Sequence, residues 1–260
     1  MLACCAISVC CASAWPTALT KKGEATGAPR IGKVETMTPS KPEELKIACV
    51  GAGYWGKNLI RNFDELGVLH LICDTDVSVQ SAFEQQYPDA RFCCSFSEVL
   101  ADPSIDAVVI ATPAEKHYTL AKEALLAGKH VFSEKPLALR VREGEELIAL
   151  AEKADKKLMV GHILEYHPAV LKLKELIDAG DLGRIYYIYS NRLNLGKVRT
   201  EENILWSFAP HDISVLLMLL REMPESVTAL GGCYLHHNIA DVTISTLRFP
   251  NDVKAHIFVS

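Results

Sequence analysis

Between residues 45 and 161, short apolar runs alternate with longer segments whose apolar positions recur at helical spacing. The apolar runs predict strands at residues 45–50, 68–73, 107–111, 131–132 and 157–161. The helical spacing predicts helices at residues 56–66, 78–86, 112–128 and 145–153. The run at 107–111 contains no polar residue, which is typical of a strand covered on both faces. Strands that alternate with helices in this way predict an α/β fold with a parallel, doubly wound sheet.

Local signals mark the ends of these helices. Thr112, Pro113 and Glu115 match a capping box, with threonine as the N-cap, proline at the first helical position and glutamate three residues after the cap. Gly67 and Gly128 follow two of the helices, at the position where glycine commonly ends a helix.

Beyond residue 167 the pattern changes to strands that follow one another directly. It predicts helices at 168–179 and 213–220, and strands at 184–190, 226–231, 242–249 and 253–259. Consecutive strands indicate a mostly antiparallel, open-faced sheet in a second, α+β domain. The last strand stops without a turn or cap, so we expect a truncated chain. The predicted division is 1–44 as a leader or disordered segment, 45–165 as a dinucleotide-binding domain and 166–260 as a substrate domain.

The first 44 residues leave three interpretations open. Residues 2–19 are mostly apolar, but no Lys or Arg precedes them and Trp15-Pro16 interrupts them, which weakens the case for a signal peptide or anchor. Residues 20–44 have the composition of a disordered linker. Alternatively, Met37 is the true start and the preceding residues are spurious or a leader.

Composition excludes several classes of protein. The chain is 49% hydrophobic and 23% charged, as in ordinary globular proteins, and its net charge of −5 offers no basic surface for nucleic acid or membrane. None of the nine cysteines forms a C-x-x-C motif, and Cys49 and Cys73 lie within apolar runs, which favours a reducing, cytoplasmic compartment. His162 and His167 lack a matching carboxylate pattern, so no metal site is predicted.

The residues that follow the first strand match a dinucleotide-binding turn. Gly51, Gly53 and Gly56 form G-x-G-x-x-G between a strand and a helix, and Asp74 follows at the end of the second strand. The glycines allow a tight turn and a close approach to a pyrophosphate, while the aspartate is placed to bind the ribose hydroxyls. Because a carboxylate repels a 2′-phosphate, NAD is favoured over NADP. A P-loop is excluded because Asn58 replaces the Ser or Thr that binds Mg²⁺.

A lysine follows the strand at 131–132. Glu134-Lys135-Pro136 lies at the carboxyl edge of the predicted sheet, where open α/β sheets bind ligands. Lys135 could hold a substrate hydroxyl there, although a lysine before proline is more often a plain surface residue.

Taken in order, these motifs resemble the Gfo/Idh/MocA family of NAD(P)-dependent oxidoreductases over about residues 46–260. The resemblance rests on 51–56, Asp74, 111–113 with His117, 127–136, 180–183, and His211 with its following helix. It implies that Lys135 binds and polarises the substrate carbinol and that His211 accepts the hydroxyl proton. It also implies a homo-oligomer. The residues expected to contact NAD are Gly51, Gly53, Tyr54, Trp55, Gly56, Asp74, Thr112, Pro113, His117 and Glu134.

The sequence departs from the family around His211. Many members have aspartate four residues before and three residues after this histidine, where this chain has Ser207 and Ser214. Asp212 is adjacent but stands at neither of these positions, so the sequence does not identify the residue that orients the base.

The segment 191–212 is similar to the subgroup that oxidises the 3-hydroxyl of UDP-N-acetylglucosamine or its uronate. Three cations, Arg192, Lys197 and Arg199, suit an anionic substrate, although a solvated basic loop balanced by nearby glutamates is an alternative. The residues expected to bind this UDP-sugar are Lys135, Tyr166, His167, Arg192, Asn194, Lys197 and Arg199. Oxidation of a free sugar or cyclitol, and a non-catalytic NAD-binding fragment, are the other functions left open.

Overall fold

The first half of the protein folds around a six-stranded parallel sheet. In the computed structural model, which describes residues 45–194 and 202–260, the strands are β1 (Ile47–Val50), β2 (Leu69–Cys73), β3 (Arg91–Cys93), β4 (Ala107–Ile110), β5 (His130–Ser133) and β6 (Leu158–Val160). Their order is β3-β2-β1-β4-β5-β6, with parallel pairing throughout. The predicted doubly wound sheet is confirmed. The order reverses between β1 and β4, the point at which such sheets bind ligands.

Helices cover both faces of this sheet. They are α1 (Gly56–Glu65), α2 (Gln80–Gln86), α3 (Phe96–Ala101), α4 (Ala114–Leu126) and α5 (Val141–Lys153). The side chains of β1 alternate between two cores, with Ala48 and Val50 in one and Ile47 and Cys49 in the other. A strand whose two faces are both buried explains the continuous apolar run in the sequence.

The carboxyl ends of the strands bring the functional segments to one edge. Gly51 follows β1 and donates its backbone N–H to the Cys73 carbonyl of β2. In the same way, Glu134, which follows β5, donates its backbone N–H to the Ile110 carbonyl of β4. This ladder fixes the glycine turn, Asp74 and the Glu134-Lys135 segment relative to one another.

The capping-box prediction for α4 is wrong. The helix begins at Ala114, its N-cap is Pro113, and no side chain caps it. Thr112 therefore lies one residue too early for its hydroxyl to reach the first free amides. The predicted glycine ends are confirmed, since Gly67 and Gly128 have φ of 71° and 73°.

The second half forms a four-stranded sheet of mixed direction. The strands β7 (Tyr187–Arg192), β8 (Ser226–Gly232), β9 (Val242–Arg248) and β10 (Lys254–Val259) lie in the order β7-β10-β9-β8. β9 is antiparallel to both of its neighbours, whereas β10 and β7 are parallel. The predicted mostly antiparallel sheet is confirmed.

Helices α6 (Pro168–Asp178) and α7 (Ile204–Leu220) accompany this sheet. α7 covers one face, where Ala209 and Leu216 pack in a core with Leu247 and Ile257. The predicted start of this helix at residue 213 is wrong, because Asn203 caps it by accepting from the Trp206 amide at 3.0 Å. The correction places the segment around His211 inside the helix rather than before it.

Within the described parts of the chain, no helix is long and apolar enough to cross a membrane.

Candidate active site

Steric contacts explain two of the three glycines in the turn after β1. Gly51 has φ of +95°, and a Cβ there would lie 2.8 Å from the Ala111 backbone. A Cβ on Gly56 would lie 1.9 Å from the Gly51 carbonyl oxygen, so only glycine lets α1 begin so close to the turn. Gly53 is different, because its Cβ would meet no atom within 4 Å. Its backbone is open to an approaching ligand.

Asp74 is fixed beside this turn by backbone amides. Its Oδ2 accepts from the Ala52 N–H at 2.6 Å, and its Oδ1 accepts from the Asp76 N–H at 2.9 Å. Each carboxylate oxygen has a second lone pair and can also accept from a ribose hydroxyl.

The residues around the turn fit NAD. The Thr112 hydroxyl oxygen is buried without a partner among the described residues, although it belongs to a cleft-lining residue. The N-terminus of α1 places the positive end of a helix dipole beside the open Gly53 backbone. Together with the Asp74 carboxylate, these groups match the pyrophosphate and ribose of a dinucleotide.

A cleft of about 890 Å³ extends from this turn to the second sheet domain. Its walls come from the β1, β4 and β5 edges on one side, and from α7 and the β8–β9 loop on the other. The described residues that line it are Tyr54, Trp55, Ala111, Thr112, Pro113, Ala114, Glu115, His117, Glu134, Lys135, Pro136, Leu139, Ile163, Glu202, Asn203, Trp206, His211, Asn238 and Ile239.

Lys135 bridges the two walls of the cleft. Its Nζ donates to the backbone carbonyl of Ser207 on α7 at 2.9 Å. Next to it, His117 is fully buried, with its Nδ1 2.7 Å from the Pro136 carbonyl and its Nε2 2.8 Å from the Thr112 carbonyl. His117 therefore ties the lysine segment to the loop after β4.

Glu134 connects the lysine segment to the glycine turn. Its Oε1 accepts from the Trp55 indole N–H at 2.6 Å, and its Oε2 accepts from the Lys135 backbone N–H at 3.3 Å. Burial raises the pKa of this carboxyl, while these two hydrogen bonds and the Lys135 charge act to lower it.

His211 lines the cleft from α7, one helical turn beyond Ser207. Its Nδ1 is buried and has no partner among the described residues. Burial, followed by the charges of Lys135 and Arg192, lowers the pKa of its imidazole to about 4. The ring is therefore neutral near pH 7 and able to accept a proton.

The residues near His211 in sequence do not orient its Nδ1. The Ser214 hydroxyl donates to the His211 backbone carbonyl at 3.0 Å. Asp212 is buried and accepts from the Ser190 hydroxyl at 2.6 Å and from Arg192 Nε at 2.8 Å. The Arg192 charge is thus compensated by a buried carboxylate.

Several residues expected to bind substrate are not among the described residues that line the cleft. Tyr166 is 63% exposed, and the Nδ1 of His167 caps α6 by accepting from the Ala169 amide at 3.2 Å. The backbone N–H of Asn194 donates to the Ser260 carbonyl at 3.2 Å. Lys197 and Arg199 lie outside the described residues.

The sequence analysis missed two contributions to the cleft. Asn203 and Trp206 come from the first turn of α7, while Asn238 and Ile239 come from the β8–β9 loop. Asp241 holds that loop by accepting from the backbone amides of Tyr234 and Leu235, at 2.8 and 2.6 Å. An aspartate just before a strand was the available signal for an ordered loop.

Both halves of the chain match known families. Residues 45–162 match the model of the Gfo/Idh/MocA oxidoreductase family, described as an NAD-binding Rossmann fold, and residues 170–260 match the C-terminal domain of the same family. The chain spans between about half and two thirds of the length of the curated relatives that it matches.

Three similar proteins illustrate the range of substrates. UDP-N-acetylglucosamine 3-dehydrogenase from Acidithiobacillus ferrooxidans is 27% identical over 217 residues, covering 83% of this chain and 67% of that protein. The NADP-dependent scyllo-inositol 2-dehydrogenase IolW from Bacillus subtilis is 29% identical over 202 residues, covering 73% of this chain and 55% of that protein. The structure of the WlbA dehydrogenase from Bordetella pertussis in complex with NADH and UDP-GlcNAcA matches with a TM-score of 0.75 and 26% identity. The match covers 84% of this chain and 72% of that protein.

Proposed function

The chain belongs to the Gfo/Idh/MocA oxidoreductase family, and we propose that it oxidises a hydroxyl-bearing carbon of a nucleotide-linked sugar by hydride transfer to NAD. The observation that supports this most directly is that Lys135 and His211, from different domains, line the same cleft below the glycine turn. An ammonium and a neutral imidazole are the two groups needed to hold an alcohol oxygen and to take its proton.

In this proposal His211 is the general base and Lys135 the electrostatic partner. Because Nδ1 is buried, Nε2 is the nitrogen that accepts the hydroxyl proton. Lys135 donates a hydrogen bond to the same oxygen and stabilises the negative charge that develops on it. The carbinol carbon loses a hydride, for which NAD, when bound, supplies the acceptor, and the product is the ketone.

The cofactor proposal rests on the glycine turn and Asp74. Gly53 leaves room for the pyrophosphate, and the Asp74 carboxylate accepts from the ribose hydroxyls while repelling a 2′-phosphate. The same residues support NAD over NADP as the preferred dinucleotide.

The substrate class is inferred from the relatives and from the segment before α7. Two of the similar proteins act on or bind UDP-linked N-acetylhexosamines. The 191–212 segment, which includes Lys197 and Arg199, resembles that subgroup in sequence. A homo-oligomer is part of the same proposal, by analogy with the family.

A free sugar or cyclitol is the second candidate, and a specific observation favours it. Arg192 is paired with buried Asp212, and the described cleft lining includes the carboxylates of Glu115 and Glu202. Negative charge at those positions suits a neutral polyol better than a diphosphate.

The deciding experiment follows NADH formation with NAD and either UDP-N-acetylglucosamine, its uronate or scyllo-inositol, together with an NADH-binding titration. Turnover of a UDP-sugar that UDP inhibits competitively supports the proposal. Turnover of inositol alone, insensitive to UDP, supports the cyclitol alternative. NADH binding without turnover of any of them indicates a cofactor-binding fragment, and absence of NADH binding contradicts the cofactor assignment.

A further inference from the structure

The glycine turn and the lysine segment are joined by one short hydrogen bond. Trp55, inside the G-x-G-x-x-G turn, donates its indole N–H to the Glu134 carboxylate at 2.6 Å, across 79 residues of sequence. The two partners come from the ends of β1 and β5, which β4 separates in the sheet. The contact therefore spans the cofactor end of the cleft.

The Glu134 carboxylate is fixed on its remaining sides as well. Its Oε2 accepts from the Lys135 backbone N–H at 3.3 Å. A Cβ at Gly161 would lie 2.9 Å from Oε1, so the carboxylate occupies the space that any other residue at that position would fill. Loss of the indole would leave the carboxylate of the buried Glu134 with the Lys135 backbone N–H as its one remaining hydrogen bond among the described residues, which is costly for a buried charge.

Core packing does not account for the position of Trp55. The side chain is 39% exposed, and the neighbouring Tyr54 is 93% exposed. Trp55 belongs to neither of the two cores that stabilise the parallel sheet. Its defined polar contact is the one with Glu134.

We propose that Trp55, acting through Glu134, is a positioning residue that sets the Lys135 backbone and so aligns its ammonium with the base; this rests on the role of Lys135 proposed above. The contacts form a continuous path from the glycine turn through Trp55, Glu134 and Lys135 to the Ser207 carbonyl on α7. His211 lies one turn further along that helix. A dinucleotide that orders the turn therefore also orders the catalytic pair.

The geometry explains why a small displacement matters. The Lys135 ammonium, at the end of a flexible side chain, lies 2.9 Å from the Ser207 carbonyl oxygen. A shift of the Lys135 backbone therefore moves the ammonium relative to the substrate oxygen. Misplacement by about 1 Å is enough to slow an enzyme about 100-fold.

The test compares Trp55→Phe with Tyr118→Phe in the full chain. Both changes remove a single donor to a glutamate, since the Tyr118 hydroxyl of α4 donates to Glu146 of α5 at 2.7 Å, and neither residue is among the described residues that line the cleft. Amide hydrogen exchange at Lys135, measured by NMR without any ligand, should be about tenfold faster or more in Trp55→Phe and unchanged in Tyr118→Phe. Glu134→Ala should reproduce the faster exchange.

Turnover and NADH affinity provide the second readout. Trp55→Phe should lower kcat about tenfold or more, and the loss of kcat should exceed any loss of NADH affinity, because phenylalanine keeps an aromatic ring beside the turn and removes only the donor. Unchanged exchange at Lys135, unchanged kcat, or a loss of NADH affinity as large as the loss of kcat would each overturn the proposal. If the parent protein turns over none of the tested substrates, the proposed function fails, and the ligand-free exchange experiment still decides whether Trp55 positions Lys135.

Discussion

Lys135 is held at both of its ends. Its backbone N–H is bonded to Glu134 and its ammonium to the Ser207 carbonyl, so both the origin and the tip of the side chain are defined before any ligand arrives. His211 faces the same cleft, and within the described part of the chain its buried Nδ1 has no hydrogen-bond partner. At the residue scale, the site therefore relies on the lysine for precision and on burial to keep the imidazole neutral.

Removal of either group should stop chemistry without preventing cofactor binding. We expect Lys135→Ala and His211→Ala each to lower kcat about 100-fold or more, because each deletes a proton-transfer or charge-stabilising group. The NADH Kd should stay close to that of the parent. Lys172→Ala removes a surface lysine that pairs with Glu175 and serves as the control. Full activity in Lys135→Ala would rule out the proposed mechanism.

Asp74 should set the choice of dinucleotide. Asp74→Ala removes the carboxylate that is held by the Ala52 and Asp76 amides, so NAD binding should weaken by about tenfold or more and the preference over NADP should narrow. Titration with both reduced cofactors measures this change. Asp89→Ala, at an exposed position outside the site, controls for the loss of one negative charge. An unchanged preference would contradict the ribose assignment.

At the scale of elements, two glycines of the turn after β1 have different roles. We expect Gly56 to be needed for folding and Gly53 for binding of the cofactor. Gly56→Ala places a Cβ 1.9 Å from the Gly51 carbonyl oxygen, whereas Gly53→Ala meets no atom within 4 Å. We expect Gly56→Ala to lower the free energy of unfolding by about 2 kcal/mol or more. Gly53→Ala should leave it nearly unchanged and weaken NADH binding by about tenfold.

Thermal unfolding and NADH titration of the two variants measure these effects. Gly53→Ala is the matched control for Gly56→Ala because both add the same methyl group within one turn. If both variants lost stability equally, the steric explanation of this turn would be wrong.

The elements that the sequence predicts well are those buried on both faces. The runs at β1, β2 and β4 are continuous and apolar because helices cover both sides of the sheet. β3 and α3 were not predicted, since β3 has three residues and begins with an exposed arginine. The predicted start of α7 at residue 213 is nine residues too late, because the helix begins at Ile204 and continues through Pro210, a residue type that usually ends or kinks a helix.

The site was predictable where chemistry follows a strand end. Gly51, Asp74 and Lys135 each come directly after a strand or within two residues of one, so the sheet itself brings them together. Asn238 and Trp206 reach the cleft from a loop and from a helix whose place depends on packing between the two domains. Arg192 looked like a free cation, because its pairing with Asp212 requires β7 to lie against α7.

At the scale of the whole molecule, two buried histidines make the fold sensitive to acid. The pKa values of His162 and His211 are lowered to about 4, chiefly by burial. The unfolded chain takes up these protons near pH 6.5, whereas the folded protein resists them down to about pH 4. The corresponding stability is present above pH 6.5 and is lost as the pH falls from there toward 4.

His162 allows this effect to be measured without touching the proposed base. In His162→Gln, the difference in unfolding free energy between pH 7 and pH 4.5 should shrink, by about 2 kcal/mol, because one buried group no longer titrates. Denaturant unfolding at the two pH values provides the comparison. His237→Gln changes an exposed histidine in the β8–β9 loop and should leave the difference as it is. An equal pH dependence in the parent and His162→Gln would refute the assignment.

The hydrogen bond between the Lys135 ammonium and the Ser207 carbonyl also connects the two domains of the molecule. The ammonium proposed to polarise the substrate is therefore already hydrogen-bonded to the second domain. An alcohol oxygen that enters the cleft competes with that carbonyl for the Lys135 ammonium. Its binding therefore weakens the hydrogen bond between the two domains. Binding of the substrate at Lys135 and the contact between the two domains are therefore coupled through one ammonium group.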